Sequence, residues 1–361
     1  ARDSPARHTG VHFCRAGNRA RRPCYKYAMA RNPYYDGPPS DHFDGERFFI
    51  KGVTRDKTHG EIWRWRLRGG RHKWPKSVPS PFRDHPPKRV AGQDLRVSYI
   101  GHASVLVQTR SLNILVDPVW SQRASPVRWA GPRRVNAPGV AIENLPPIDA
   151  VLVSHNHYDH LDLSTLSRIV RDHAPRVVTP LGNDVIMKRH DRHIVAEAWD
   201  WNARAPLSGE VAVTLLPAYH WSARTLTDRR MALWCSFMIE TPDGAIYCLA
   251  DTAWGNGAIF SEARMRFPLI RLAIIPIGAY EPRWFMRDNH LDPEEALQVF
   301  DMCGAKYAMA HHWGTFQLTD EPVDEPPRRL RAGMQAAGIP EEKFRILRPG
   351  EVWSVPPPSL T

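Results

Sequence analysis

The chain has 361 residues, room for one large domain or two ordinary ones, and 42% of them are hydrophobic, with 13 Trp and 12 Phe to fill a core. That composition excludes wholesale disorder; no apolar run approaches the roughly 18 residues of a membrane-spanning helix, and 33 prolines exclude long coiled coils. The net charge of +11 is unevenly placed, with +7 of it in residues 1–31, where eight Arg and Lys face one acid, Asp3.

Residues 1–31 read as a basic tail, expected to be disordered and solvated. Such an arm could instead touch nucleic acid or anionic lipid headgroups. It lacks the apolar core of a signal peptide, and Met29 is an alternative start. The five cysteines, Cys14, Cys24, Cys235, Cys248 and Cys303, make no disulfide framework, which points to a reducing, cytoplasmic setting. Residues 32–94, rich in Pro, Gly and aromatics, read as an extended lead-in that wraps a main domain over 95–355. Neither NPYYDGPPSDHFDGERFF nor EIWRWRLRG holds a helical period.

From Leu95 short β-rich runs follow one another: LRVSYI, ASVLVQ and LNILVDP as a meander, then DAVLVS (149–154) as a strand buried on both faces. HNHYDHLD is a polar loop, and LSTLSRIVRDH carries Leu163, Leu166, Ile169 and Val170 at helical spacing. RVVTPL, HIVAEAW and VAVTLLP predict strands, with GNDVIMKRH a short helix between the first two. ALWCSFMIETPDGAIYCLADT predicts a hairpin turning at Pro242-Asp243-Gly244. LIRLAIIPIG predicts a buried strand, Asp292-Pro293-Glu294-Glu295 a helix start, KYAMAHH a strand, EPPRRLRAGMQAAG a helix, and KFRIL a last strand. Two sets of strands, each followed by helices, predict an α/β fold of four layers, αββα. An ordinary doubly wound sheet is the alternative.

The chemistry concentrates in Ser154-His155-Asn156-His157-Tyr158-Asp159-His160, where four metal-capable side chains follow a buried strand. His155 and His157 can turn one way, and Asp159 and His160 the other, so one loop can serve two adjacent metals. Imidazole and carboxylate without thiolate suit Zn²⁺, with Mn²⁺ or Fe²⁺ as alternatives. His220 in PAYHW, Asp251 in CLADTAW and His312 in AMAHHWGTF each follow another apolar run. His311 competes with His312, because adjacent strand residues point to opposite faces.

These motifs resemble the metallo-β-lactamase superfamily and, within it, the N-acylphosphatidylethanolamine-hydrolysing phospholipase D family and its bacterial relatives. HxHxDH specifies only the superfamily. SQRASPVRWAGPRR, IGAYEPRWFM and HWGTF are much narrower, and the resemblance, which also takes in YIGHASVLVQ and HLDPEEAL, covers about residues 32–355. It implies a four-layer metallo-β-lactamase sandwich. It also implies one zinc on His155, His157 and His220, a second on Asp159, His160 and His312, and Asp251 bridging them; HWGTF selects His312 over His311.

Two zinc ions about 3.5–4 Å apart could then share a hydroxide that attacks phosphorus, with Asp251 and Asp159 as the carboxylates at the metals. His290 is a candidate for the leaving-group acid, or a packing histidine ahead of the Asp292 helix. Tyr280, Glu281, Arg283 and Trp284 either shape the substrate mouth or pack their loop. Asn289 and His290 are candidates for substrate contact; where the animal enzymes read KYQH, this chain reads Arg287-Asp288-Asn289-His290, an Asn-for-Gln change that bears on acyl-amide selectivity. His102 in GHAS fits the family pattern or is purely structural, and Asp117 is expected to orient a ligand histidine.

The implied activity is hydrolysis of the phosphodiester of N-acylphosphatidylethanolamine-like lipids to phosphatidic acid and N-acylethanolamine. Peripheral contact with the inner face of the membrane is compatible with it; no nucleic-acid partner is expected, and a dimer is compatible. The alternatives are a same-fold hydrolase of a lactone, cyclic nucleotide or nucleic acid, and a metal-binding sensor without catalysis.

Overall fold

The structure is a computed structural model that describes residues 32–52 and 56–358; the basic tail over 1–31 lies outside them. Fourteen strands among the described residues form two seven-stranded sheets. In spatial order the first runs Val352–Val355, Leu95–Gly101, Ser104–Thr109, Leu112–Val116, Ala150–Leu152, Arg176–Pro180 and Ala196–Trp199. The second runs Phe344–Arg345, Tyr307–His311, Ile270–Pro276, Ala245–Cys248, Ser236–Glu240, Ala212–Leu216 and Arg204–Pro206.

Alternation along each strand makes the layers. Val97, Val105, Val107, Ile114 and Leu152 of the first sheet meet Phe237, Ile246, Leu272, Ile274 and Met309 of the second in one buried cluster. The intervening residues point outward. Leu106, Leu115 and Val151 pack with Leu166 and Ile169 of helix Leu163–His173 and Met187 of helix Asn183–His190. Tyr247, Ala273 and Ala308 pack with helices Ala258–Arg266, Pro293–Cys303 and Glu325–Ala336 through Phe260, Val299 and Leu330. This is the expected αββα sandwich.

The helix after Asp292 starts as its sequence predicts. The Asp292 side chain accepts from the Glu295 N–H, and the Glu295 side chain accepts in return from the Asp292 N–H. A cap of this kind contributes about 1 kcal/mol.

Elsewhere the structure departs from the expectations. EIWRWRLRG, expected to be extended, belongs to a helix over His59–Arg68. Local capping decides it: Thr58 and Glu61 form a reciprocal capping box, a signal that side-chain periodicity does not carry. KFRIL yields only the two-residue strand Phe344–Arg345. The last strand is Val352–Val355, which crosses back to pair antiparallel with Leu95–Ser98 of the first sheet. The helices Ala258–Arg266 and Arg283–Met286 and the edge strand Arg204–Pro206 are additional elements.

The lead-in lies along the main body through fixed contacts. Phe43 and Phe48 are buried against Leu233 and Trp234, the Asn32 side chain donates to the Met231 carbonyl at 2.8 Å, and Asp84 pairs with Arg96 at 2.5 Å. No helix of the described residues is long and apolar enough to cross a membrane.

The strands 112–116, 150–152 and 176–180 run parallel in the first sheet, as 245–248, 270–276 and 307–311 do in the second. Their carboxyl ends therefore deliver loops to one rim of the sandwich.

Candidate metal centre

Asp117, the 154–160 loop, Asp251 and His312 follow the carboxyl ends of those parallel strands, and His220 follows the antiparallel strand 212–216. The backbone turns sharply there: His102, Asp117, Ala250, Ala279 and His312 all hold positive φ, from 42° to 63°. Each costs a non-glycine residue about 1–3 kcal/mol, so the surrounding packing must hold them. Gly278 admits a close approach, since a Cβ there would sit 2.2 Å from the His312 carbonyl oxygen.

Three overlapping groups of ligand atoms result: His155, His157, His220 and Asp251; His102, Asp159, His160 and His312; and Asp251, His290 and His312. Within each group the atoms lie within 4.8 Å of one another. In the first, His157 Nδ1 is 2.9 Å from His155 Nε2 and 3.2 Å from His220 Nε2. In the second, His312 Nε2 is 3.1 Å from His160 Nε2 and 3.3 Å from Asp159 Oδ2. Asp251 lies between them. Its Oδ2 is 3.4 Å from His220 Nε2 and 3.2 Å from His160 Nε2, while its Oδ1 is 3.0 Å from His312 Nε2.

Three of the outward-facing ring nitrogens are tied down, which aims the inner nitrogens of those rings. Asp117 Oδ2 accepts from His160 Nδ1 at 2.7 Å and from the Ser154 hydroxyl at 2.6 Å, and that hydroxyl lies 2.9 Å from His155 Nδ1. His220 Nδ1 lies 3.0 Å from the Asn289 carbonyl oxygen. With Nδ1 engaged, Nε2 is the atom each ring turns inward, as a free lone pair on neutral His155 and His220 and as one that His160 offers once its Nε2 proton leaves. The expected orienting role of Asp117 thus has a geometric basis, and Ser154, which the sequence reading passed over, relays it to His155. Its signal was a hydroxyl residue directly before the first histidine.

Electrostatics follow from burial and counter-charge. Burial holds His155 and His220 well below the usual histidine range and His157 at about 4, so all three stay neutral with free lone pairs. Burial also opposes the charge on His160, but Asp251, Asp159 and Asp117 outweigh it and hold its pKa well above the usual range. Burial would raise the carboxyls of Asp159 and Asp251, yet His160 and its neighbours keep both well below theirs.

This donor set fits a pair of divalent cations. Neutral imidazoles 2.9–3.2 Å apart turn lone pairs toward one another unless a proton or a metal lies between them. Asp251 Oδ1 is buried with no hydrogen bond at all, since His312 Nε2 is near it but misaligned for one. Nitrogen and oxygen donors with no cysteine match zinc and also admit manganese or iron.

The remaining candidates fall on either side of this centre. His102 Nε2 lies 2.9 Å from Asp159 Oδ2, so His102 touches the ligand set. His290 belongs to the third group, its Nδ1 4.0 Å from Asp251 Oδ2 and its pKa lowered to about 4 by burial. His311 is buried with neither ring nitrogen bonded and belongs to none of the three groups. Tyr280 is fully buried and donates to Glu325 at 2.7 Å beneath Arg329, which commits its hydroxyl to loop packing. Trp284 is half-buried under the guanidinium groups of Arg64 and Arg68. Cys235, Cys248 and Cys303 are buried and free, away from every ligand group.

A model of the beta-lactamase superfamily domain matches residues 112–313. The chain is 34% identical over 270 residues to N-acyl-phosphatidylethanolamine-hydrolyzing phospholipase D 1 of Caenorhabditis elegans, covering 72% of this chain and 75% of that protein. It is 31% identical over 251 residues to the mitochondrial N-acyl-phosphatidylethanolamine-hydrolyzing phospholipase D of Saccharomyces cerevisiae, covering 68% of this chain and 53% of that one. Among solved structures, an isothiocyanate hydrolase from Delia radicum gut bacteria superposes with a TM-score of 0.57 at 20% identity, covering 72% of this chain and 99% of its own; it shares the fold. With the sandwich, the rim of histidines and these likenesses together, the chain belongs to the metallo-β-lactamase superfamily and, within it, to the family of N-acylphosphatidylethanolamine-hydrolysing phospholipases D, as a metal-dependent hydrolase.

Proposed function

We propose that the protein is a dinuclear zinc phosphodiesterase that cleaves N-acylphosphatidylethanolamines or related phospholipids to phosphatidic acid and an N-acylethanolamine. The observation that carries this reading is Asp251, whose carboxylate lies within 3.4 Å of His220 in one histidine group and of His160 and His312 in the other, in a chain of this family. His155, His157 and His220 would hold one metal, Asp159, His160 and His312 the other, and Asp251 would contact both. When bound, such a pair supplies Lewis acidity and water activation at neutral pH.

The protein's own groups do the rest. Asp117 and Ser154 fix the His155 and His160 rings, the Asn289 carbonyl fixes His220, and His102 fixes Asp159. His290, neutral at a pKa of about 4, would serve as a hydrogen-bond donor to a substrate or leaving-group oxygen and not as an imidazolium acid. Trp284, with Arg64 and Arg68 over its ring, stands five residues before Asn289 and would line the approach of the lipid.

The test is product analysis by mass spectrometry after incubating zinc-loaded protein with an N-acylphosphatidylethanolamine in detergent. Zinc-dependent phosphatidic acid and N-acylethanolamine are expected, and His157→Ala should lower their yield by at least about 10²-fold. Absence of both products from a metal-loaded protein would remove the lipid assignment and turn attention to lactones and simpler diesters.

A further inference from the structure

A second concentration of charge lies outside the ligand groups. Residues 71–76 of the lead-in and the loop over 123–135 enclose a groove of about 620 Å³, lined by Arg71, Lys73, Lys76, Arg123, Arg133 and Arg134 with no carboxylate among the lining residues. Its walls are fixed by backbone. Val78 N–H donates to the Val135 carbonyl at 2.7 Å and His72 N–H to that of Asp320 at 3.0 Å, while Arg123 and Arg133 pair in an antiparallel bridge.

Several arginines elsewhere in this protein meet acids: Arg110 with Asp243, Arg176 with Glu197, Arg230 with Asp56, Arg283 with Glu295. Here, among the described residues, none of the six cations has a carboxylate within 4.0 Å, although Asp162 attracts Arg134 from farther off. Arg71, Arg123 and Arg134 spend hydrogen bonds on the carbonyls of Gln317, Gly131 and Val119 instead. Arg134 is 4% exposed and its Nη1 has no partner. Burial lowers its pKa only to about 10, so it stays charged at neutral pH.

Like charges gathered in one concavity repel one another, and a polyvalent anion relieves that repulsion through charge-assisted hydrogen bonds. We propose that this groove is a binding site for a phosphate-bearing anion, a phosphate group carried by a lipid headgroup or by a small soluble molecule. Its volume suits one small ligand and its rim is built for several oxygens at once. The groove borders the metal centre. Trp74 lines it and also the small cavity reached by His102 and His312, and Arg134 lies over Phe316, whose ring meets that of His102 at 5.1 Å. The site does not depend on the reaction proposed above.

The test compares the full-length, metal-loaded protein with its Arg71→Gln/Lys73→Gln/Lys76→Gln variant, so that the tail and the metal centre are common to both. Two probes are used: glycerol phosphate by calorimetry, and sedimentation with phosphatidylcholine vesicles with or without phosphatidylglycerol. The variant should bind at least one probe about tenfold more weakly, in keeping with loss of charge-assisted contacts. Weakening of both shows that the phosphate group is recognised from either source. Weakening confined to vesicles assigns a lipid headgroup, and weakening confined to glycerol phosphate a soluble ligand. Should the triple variant fail to fold, Lys73→Glu/Lys76→Glu carries the same expectation, both side chains being exposed. Unchanged binding of both probes by a folded variant overturns the proposal.

Discussion

Asp251→Asn is expected to lower phosphodiester hydrolysis by at least about 10²-fold and to cost the protein one or both bound metals. Asparagine keeps the size of the side chain but not its charge. That carboxylate stands 3.2 Å from His160, 3.4 Å from His220 and 3.0 Å from His312, so it touches both trios. The substitution also removes one of three carboxylates that hold the buried His160 ring charged, so the metal-free variant should melt below wild type. Metal content by mass spectrometry and turnover on a soluble diester read the two effects separately. A folded variant with wild-type turnover would sink the two-metal account.

The second large effect is expected from a residue that holds no metal in this account. Asp117→Asn should weaken metal binding about 10–100-fold, the usual loss when a ligand histidine loses its orienting partner. Asp117 accepts from the Ser154 N–H at 2.7 Å, from its hydroxyl at 2.6 Å and from His160 Nδ1 at 2.7 Å, so it steadies one ligand from each trio. Ser154→Ala should do less, because it removes only the partner of His155 Nδ1 and leaves His160 held. Competition with a chelator of known affinity measures both. Equal effects of the two variants would contradict the relay through Asp117.

Much of this was legible in the sequence because it is written in short-range signals. The 149–154 run reads as a doubly covered strand by its unbroken apolar residues, and Ala150–Leu152 is indeed flanked by two parallel neighbours. The HxHxDH loop reads as two pairs of metal-capable side chains from their spacing, and the structure places His155 with His157 and Asp159 with His160 in two separate groups. The distant members, His220, Asp251 and His312, could be listed as residues following strands, but only tertiary pairing of strands brings them to one rim.

Other features were not legible, for identifiable reasons. The helix over His59–Arg68 depends on the Thr58–Glu61 capping box while its aromatic and basic residues keep no clean apolar face. Val352–Val355 looks like an ordinary terminal run, and its return to the first sheet is a matter of long-range register with Leu95–Ser98. The anchoring of Tyr280 on Glu325 joins residues 45 apart in sequence, which no local pattern reveals. The basic groove likewise joins two segments that sequence separates, the lead-in and the 123–135 loop.

The central claim is that Asp251 joins two metals into one reacting centre. Titrating metal-free protein with zinc, while counting bound metal per chain and following hydrolysis of N-acylphosphatidylethanolamine, tests it most directly. The account predicts saturation at two zinc ions per chain, with activity tracking occupancy of the second. Full activity at one zinc per chain, or saturation at two with no release of phosphatidic acid, would contradict it.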